Sequence, residues 1–345
     1  MRFLKLIRGA AGAGVGAVAN AFEPQADPEI YGIDYDSRRV RPGFLFVAMR
    51  GETSDGNRFI DSAITNGAVA VVSDSESLPR EGIAWARVEH GRRALASLSA
   101  RFYSSPADRL HITGITGTNG KTTTAFLLES ILNAAGRSTI LIGTIEYHVA
   151  GEVYGAPHTT PEPLDLQRLF AGGVHRGAAE AVMEVSSHAL AQERTYGLAF
   201  DVAVFTNLTQ DHLDYHRDFE SYFAAKRRLF EGVGAPPPRA AAINAEDEYG
   251  RRLLAAQIDP QQRIAYGVGA GEVRASALDL GRDGVRFRLD TPAGTVQMES
   301  LLLGRVNVQN ILAATAAALA RGCQLDEISE GVRRLQRVPG RFERV

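Results

Sequence analysis

The sequence predicts an α/β protein organised around a mostly parallel sheet, and three observations carry that prediction. A β-branched run, His111-Ile-Thr-Gly-Ile-Thr116, passes through a glycine- and threonine-rich turn into Lys121-Thr-Thr-Thr124. The residues after it, Phe126, Leu127, Leu128, Ile131 and Leu132, recur at helical spacing, so the turn joins a strand to a helix. Further apolar runs at 138–142, 180–185, 201–206, 240–243 and 263–266 are separated by stretches long enough for helices, the alternation that builds parallel strands covered on both faces. From 271 to 303 the pattern changes to short alternating segments with Asp283-Gly284 and Ala293-Gly294 turns, which predicts antiparallel hairpins appended to that sheet.

Taken in order, the chain opens with Met1-Arg-Phe-Leu-Lys-Leu-Ile-Arg8. This start has some character of a secretory signal, but residues 9–19 are mostly Gly and Ala, too weakly apolar for one, and we read no signal there. Gly14-Val-Gly16-Ala-Val-Ala19 fits a G-x-G-x-x-A pattern. No strand-like run precedes it, so it predicts a helix-to-loop segment rather than a nucleotide site. Residues 30–75 read as a small α/β unit: an Arg41-Pro42-Gly43 turn, a strand Phe44–Ala48, a polar loop 51–56, a helix Arg58–Asn66 and a strand Ala68–Val72. A helix from Arg92 to Tyr103 leads through Ser104-Ser105-Pro106 to a domain boundary. The division expected is 1–105, 106–338 and the start of a third unit at 339–345. Pro236-Pro-Pro238 marks a surface loop, and Asn307–Arg321 is an alanine-rich helix.

With 345 residues, 45% hydrophobic and 23% charged, the chain is an ordinary globular sequence long enough for two or three cores. A formal net charge of −2 provides no polycationic surface for nucleic acid. A single cysteine, Cys323, excludes a disulfide framework and a cysteine-rich zinc site, and reads as a buried hydrophobe on a late helix. No apolar run approaches the roughly 20 residues of a membrane span.

The chemistry concentrates at strand ends. Gly117-Thr-Asn-Gly-Lys-Thr-Thr123 is a phosphate-binding loop, whose glycines let backbone N–H groups turn onto a polyphosphate at a helix N-terminus. Lys121 reaches the terminal phosphates and Thr122 offers its hydroxyl to Mg²⁺. The spacing departs from the usual Walker pattern, with Ile115 where a glycine is expected and glycines at 114, 117 and 120. Met183-Glu-Val-Ser-Ser-His188 places Glu184 at a strand's carboxyl end, where ligands of open α/β sheets gather. Asn207, Asp211, His212, Asp214 and His216 crowd one loop after the next strand, with His212 a candidate metal ligand and His216 read as structural. Lys226 lies on a helix with Tyr222, Phe223, Leu229 and Phe230 facing inward, and by spacing alone is an ordinary helix lysine.

Together these motifs resemble the Mur ligase family. Asp36-Ser-Arg-Arg-Val-Arg-Pro-Gly43, Phe44–Ala48 and Asp55-Gly56 resemble its uridine-nucleotide domain. Thr159-Thr-Pro161 with Ser186-Ser-His-Ala-Leu190, Gln192 and Arg194 resembles the branch that adds the third amino acid of the peptidoglycan peptide. The resemblance implies a small N-terminal UDP-binding domain and a central ATP-binding domain. It implies a cytoplasmic, monomeric, ATP- and Mg²⁺-dependent ligase acting on UDP-N-acetylmuramoyl-L-alanyl-D-glutamate and a diamino acid through an acyl phosphate, with no nucleic-acid or membrane partner. By the same resemblance ATP falls to Gly117, Thr118, Asn119, Gly120, Lys121, Thr122 and Thr123, to an asparagine at Asn307 or Asn310, and to Arg341. The metals fall to Thr122, Glu184, His212 and Lys226, the last as a CO₂-derived carbamate, which replaces the plain reading of that lysine. Lys121, Glu184, His212 and Lys226 are the implied catalytic set. Ser37, Glu52, Thr53 and Ser54 match uracil and ribose contacts, and Thr159, Thr160, Ser186, Gln192 and Arg194 match groups that grip the muramoyl-peptide. The family's C-terminal domain, which selects the incoming amino acid, is expected beyond Val345. The rival readings are a MurF-type or folylpolyglutamate-type ligase, and a two-domain fragment that binds nucleotide and UDP-muramoyl-peptide without turnover.

Overall fold

The computed structural model describes residues 1–11, 27–52, 54–76, 78–211, 215–256 and 260–341, with the side chains of 9–11 excepted. The described residues divide into two compact units. The first comprises Met1–Pro106 with Glu162–Arg168 and Glu193–Gly197, and the second comprises Ala107–Pro161, Leu169–Gln192 and Leu198–Val345. Sequence patterning gave no sign that the two short segments at 162–168 and 193–197 join the first unit.

In the first unit, helix α1 (Phe3–Ala11) is followed by strands β1 (Gly32–Asp34) and β2 (Phe44–Ala48), helix α2 (Ile60–Thr65), strands β3 (Ala68–Ser73) and β4 (Ala84–Arg87), and helix α3 (Gly91–Phe102). The strands form a parallel sheet in the order β1-β2-β3-β4. Period-two alternation sends Leu45, Val47, Ala70, Val72, Ala84 and Ala86 to one face, where they meet Phe3, Leu6 and Ile7 of α1 and Leu95 and Leu98 of α3. Phe46, Ala48, Val71 and Trp85 take the other face, against Ile60 and Ala63 of α2. The opening residues thus form a core helix, which is what the period of Phe3, Leu6 and Ile7 encodes. The Gly14–Ala19 pattern lies outside the described residues. The helix expected at Arg58–Asn66 is a 3₁₀ turn, Gly56–Phe59, leading into α2.

The second unit carries β5 (His111–Thr116), α4 (Lys121–Ala134), β6 (Thr139–Ile142), β7 (Glu146–Val149), β8 (Glu152–Gly155), α5 (Pro163–His175, whose first turns count with the other unit), β9 (Glu180–Glu184), α6 (Ser187–Ala191) and β10 (Val202–Phe205). It continues with α7 (Phe219–Glu231), β11 (Ala240–Asn244), α8 (Glu248–Ala255), β12 (Gln262–Gly267), β13 (Val273–Gly281), β14 (Gly284–Thr291), β15 (Gly294–Ser300), α9 (Arg305–Ala320) and α10 (Leu325–Arg334). The sheet order is β15-β14-β13-β12-β11-β10-β5-β9-β6-β7-β8, parallel from β13 to β6 and antiparallel at both edges. The mixed α/β class, the central parallel strands and the appended hairpins agree with the sequence expectation. The edge hairpin β7–β8 was not anticipated, and neither was α10.

Alternation along β5 and β10 explains the two layers. Ile115, Val202 and Val204 enter the large core with Leu127 and Leu128 of α4, Ile311 and Leu312 of α9, and Ile328 and Val332 of α10. On the opposite face Phe205 meets Phe223 and Phe230 of α7 edge-on, with ring centroids 6.4 Å apart in each pair. Gly114 is a packing residue here, because a Cβ on it would stand 2.7 Å from the Phe200 ring and 3.1 Å from Leu229. Cys323 is buried in the turn between α9 and α10 rather than on a helix. Among the described residues, no helix is long and apolar enough to cross a membrane.

One charged cluster fastens β7 to α4. His148 bonds Glu129 through Nδ1 (2.8 Å) and Glu146 through Nε2 (3.0 Å). Burial opposes the charged ring, but the hydrogen bonds and charges of Glu129 and then Glu146 outweigh it and push His148 up to about 9. Its folded pKa lies above its unfolded value of about 6.5, so the stabilisation is complete below that pH and is lost as pH rises through about 9. His148→Gln is expected to cost up to about 3 kcal/mol near pH 6, with the gap to wild type closing above about pH 9. Urea melts of both proteins across that range test this, and a pH-independent gap would refute it.

Candidate functional site

The phosphate loop is set by two glycines at positions where a side chain does not fit. Gly117 has φ +150° and Gly120 φ +86°. A Cβ on the first would stand 1.9 Å from Thr206 Oγ1, and one on the second 2.5 Å from Asn310 Oδ1. The loop is thereby pressed between the end of β10 and helix α9. The segment after β10 braces it. Thr118 N–H donates to the Asn207 carbonyl (2.8 Å), and Asn119 and Asn207 exchange bonds, N–H to Oδ1 at 3.0 Å and Nδ2 to the Asn119 carbonyl at 3.1 Å. Thr206 Oγ1 donates to the Asn119 carbonyl (2.6 Å). Helix α4 starts directly at Lys121 with no side-chain cap, so its first-turn N–H groups, which lack intrahelical acceptors, are left at the end of the helix that joins the loop.

Lys121 curls back on the loop, donating to the carbonyls of Gly117 (2.8 Å) and Thr118 (2.9 Å), a pair of acceptors that phosphate oxygens can replace. Burial and the charge of Arg341 hold its pKa below the ordinary lysine range, against Glu184 and Asp211. Arg341 itself is exposed, its N–H bonded to the Val338 carbonyl (3.1 Å). Lys226, buried on α7, donates to the same Gly117 carbonyl (2.9 Å) and lies 4.4 Å from the Tyr222 ring centroid. The Tyr222 hydroxyl is 3.2 Å from that of Thr118, and His216 stacks on the Tyr222 ring while its Nε2 lies 2.9 Å from Ser187 Oγ. His216 is buried. Helix α7 thus brings Lys226 to the loop, which spacing did not reveal.

Glu184 ends β9, 1% exposed, and accepts from Thr122 Oγ1 (3.0 Å), Thr144 N–H (2.8 Å) and Thr144 Oγ1 (3.1 Å). Thr123 is buried behind Thr122 in the same turn. Thr144 carries no motif, and only its place directly after β6 could have marked it. Thr160 is buried, with its hydroxyl donating to the Glu184 carbonyl (2.9 Å) and accepting from Ser186 N–H (3.1 Å). Ser186 caps α6 through Ala189 N–H (3.1 Å), and Gln192 closes the same helix. Thr159 is the more open member of the pair. Asn307 Nδ2 donates to the Leu303 carbonyl (2.8 Å) and its Oδ1 accepts from Asn310 Nδ2 (3.0 Å), so Asn310 is the one whose oxygen abuts the loop at Gly120.

His212 and Asp214 lie outside the described residues, as does Thr53. Among the described residues, no cluster of three His, Cys, Asp or Glu side chains could hold a metal ion. The donor set nonetheless fits Mg²⁺: a buried carboxylate and a threonine hydroxyl are hard oxygen donors at the mouth of a phosphate loop, and Mg²⁺ takes its remaining ligands from phosphates and water.

In the first unit, Ser37 and Ser54 line an open cleft of about 580 Å³ together with Tyr35, Met49 and Phe59, a volume suited to a small ligand. Glu52 is exposed on the same loop. Arg194 also belongs to this unit, where its Nε pairs with Glu162 (3.2 Å), which also accepts a hydrogen bond from Arg92 Nε (2.9 Å).

A glycine-pinned loop after a central strand, a lysine and threonine at the following helix N-terminus, and a carboxylate at the neighbouring strand end define the phosphate-loop class of α/β proteins. Residues 115–318 match the Mur ligase middle domain and residues 29–103 match the domain described as Mur ligase family, catalytic domain. The chain belongs to the Mur ligase family. It is 50% identical over 322 residues to the UDP-N-acetylmuramoyl-L-alanyl-D-glutamate--2,6-diaminopimelate ligases of Solibacter usitatus and Geobacter sulfurreducens. These matches span 93% and 92% of this chain but only 65% and 63% of the relatives' lengths. A solved structure of a ligase of the same name superposes with a TM-score of 0.83 at 30% identity, covering 97% of this chain and 68% of that one. The MurF structure from Acinetobacter baumannii gives 0.72 at 25% identity, covering 97% and 69%.

Proposed function

We propose that the protein bearing this chain is an ATP-dependent amide ligase of the MurE type, joining 2,6-diaminopimelate to UDP-N-acetylmuramoyl-L-alanyl-D-glutamate in peptidoglycan synthesis. The observation that carries this reading is the meeting of Lys121, Thr122 and Glu184 at one loop, in a chain half identical to ligases of that name. A carboxylate is a poor electrophile because its oxygen is a poor leaving group. Transfer of the terminal phosphoryl group of ATP to the substrate's free glutamyl carboxylate breaks the bond to ADP and forms an acyl phosphate. Attack by the amine then forms the C–N bond, releases phosphate and gives up a proton. Catalysis of such a transfer is mostly positioning and charge neutralisation. Lys121 neutralises the terminal phosphates, the α4 N–H groups bind them, and Thr118, Asn119 and Thr123 shape the cradle. Asn310 and Asn307 stand on the adenine side, and Arg341 adds positive charge. Mg²⁺, when bound, supplies further charge neutralisation between phosphates and substrate, held by Thr122 and Glu184, with His212 a further candidate.

Lys226 as a carbamate is part of the same proposal. Its supports are burial and the lowered pKa, which favour the neutral amine that reacts with CO₂, and the neighbouring charge of Lys121, which an anion would offset. The first unit takes the uridine end of the substrate at Ser37, Glu52, Thr53 and Ser54. Thr159, Ser186, Gln192 and Arg194 take the peptide, with Thr160 holding Ser186 in place. The need for ATP supports a cytoplasmic setting, and we read the protein as a monomer.

The reading is tested by phosphate release from the protein carrying this chain. Release is expected to require ATP, the muramoyl-dipeptide and diaminopimelate together. Turnover with a muramoyl-tripeptide or a folate instead would assign it to the MurF or folylpolyglutamate branch. No turnover with any of these, despite binding of nucleotide and muramoyl-dipeptide, would leave a binding module.

A further inference from the structure

Thr144 lies outside the phosphate-loop pattern, yet it supplies two of the hydrogen bonds on Glu184. Its N–H fixes Oε1 at 2.8 Å and its hydroxyl donates to Oε2 at 3.1 Å, beside the Thr122 hydroxyl at 3.0 Å on the same oxygen. The preceding glycine makes room, since a Cβ on Gly143 would stand 2.5 Å from Oε1. On its other side Thr144 Oγ1 lies 3.1 Å from Thr159 Oγ1. A hydroxyl has one proton, and an ionised carboxylate only accepts. Thr144 gives its proton to Glu184, so Thr159 must donate to Thr144. The chain of donors therefore runs one way, from Thr159 through Thr144 to Glu184, and Thr159 offers its outer face as a hydrogen-bond acceptor.

This order depends on what occupies Glu184 Oε2. Both hydroxyls already compete for that oxygen, so a cation placed there loosens at least one of them. Release of Thr144 lets its proton turn toward Thr159, whose own proton then turns outward, converting Thr159 from an acceptor into a donor. A donor suits an acidic group. We propose that Thr144 is a positioning residue that couples occupancy of the nucleotide and cation site at Glu184 to recognition of the acidic acceptor substrate at Thr159. The proposal rests on the ligase reading above and goes beyond it by making the two binding events interdependent through one named hydroxyl.

The test is a binding cycle on the protein carrying the full chain. The Kd of UDP-N-acetylmuramoyl-L-alanyl-D-glutamate is measured by calorimetry without and with a saturating Mg²⁺ complex of a non-hydrolysable ATP analogue. Wild type is expected to bind the dipeptide roughly tenfold more tightly with the nucleotide present, within the usual range of coupling. Thr144→Val, which keeps shape and the backbone N–H, removes the oxygen that holds the Thr159 proton, so it is expected to bring that ratio close to one by tightening the dipeptide alone about tenfold, to near its nucleotide-bound value. Thr144→Ser restores the hydroxyl and is expected to restore the ratio. An unchanged ratio in Thr144→Val, or a ratio of one in wild type, overturns the proposal. If Thr144→Val does not fold, Thr144→Ala decides: it removes the same hydroxyl with less bulk and keeps the backbone N–H on Glu184, and an unchanged ratio there is equally fatal. Failure of wild type to bind either ligand would instead overturn the ligase reading itself.

Discussion

Lys121→Ala is expected to lower dipeptide-dependent phosphate release by at least about 10³-fold, the scale seen when a preorganised charge is removed from a phosphoryl-transfer or oxyanion site. The ammonium stands at the first residue of α4, where it is already fixed by two loop carbonyls, so little reorganisation separates its resting place from one on a phosphate. Lys121→Arg is expected to recover little of this. A planar guanidinium needs more room than an ammonium, and the Gly117 carbonyl is shared with Lys226. Folding should not be weakened much, because the hydrogen bonds lost to the Gly117 and Thr118 carbonyls are offset by relief of the cost of burying the amine. Single-turnover phosphate release, with thermal melts as a control, distinguishes the cases. Retention of a rate within tenfold of wild type would remove Lys121 from the chemistry.

Lys226→Met is expected to abolish turnover and at the same time to raise the melting temperature of CO₂-depleted protein. The side chain is 1% exposed. Burial first, and then the charge of Lys121, hold its pKa well below the lysine range, with Asp211 opposing. The unfolded chain titrates near 10.4, so between the two values it binds more protons than the folded chain, and wild-type stability rises with pH over that window. Methionine removes this cost. Its advantage is therefore greatest at low pH and shrinks as pH approaches about 10. Against the gain stand the contact with the Tyr222 ring, about 0.5–2 kcal/mol, and one hydrogen bond to Gly117, about 1 kcal/mol. The desolvation of a buried ammonium costs several kcal/mol and outweighs both. Lower stability of the variant at every pH would show that the amine is accommodated without cost. In the same experiment, intact-mass analysis after bicarbonate treatment should add one CO₂ to wild type and none to the variant.

Much of this architecture is written locally. β5, β9 and β10 are runs of apolar and β-branched residues between clear turns, and buried strands of a parallel sheet need little else. β1 is only three residues long, β4 is Ala-Trp-Ala-Arg, and β7 carries Glu146 and His148, so none offers a pattern that stands out. Helix α10 did offer one, with Leu325, Ile328 and Val332 at helical spacing among charged residues, and its place in the core makes that period decisive. The site divides in the same way. Lys121 and Thr122 are marked as candidates by the glycine-rich loop between β5 and α4, and Glu184 by its place at the end of β9. Thr144 and the bracing by Thr206 and Asn207 depend on which strands become neighbours, β6 beside β9 and β10 beside β5, which is a property of sheet order rather than of any local pattern. The inward turn of Lys226 toward Gly117 likewise needs α7 to lie across β5.

The order of the large sheet also decides where the molecule is permeable to error. β5 has six strands on one side and four on the other, and both outermost elements are hairpins closed by local turns. Fraying, slippage in register or edge-to-edge association with another chain must begin at β8 or β15. The β7–β8 hairpin, whose outer strand is exposed throughout, can open and re-form by short-range contacts, whereas β14 and β15 commit Val285, Phe287, Leu289 and Met298 to the large core with Ile328 and Val332 of α10. On the β8 side the loop that follows β5 is thus insulated by a sacrificial margin, and slow amide exchange should persist around it after that edge has begun to exchange.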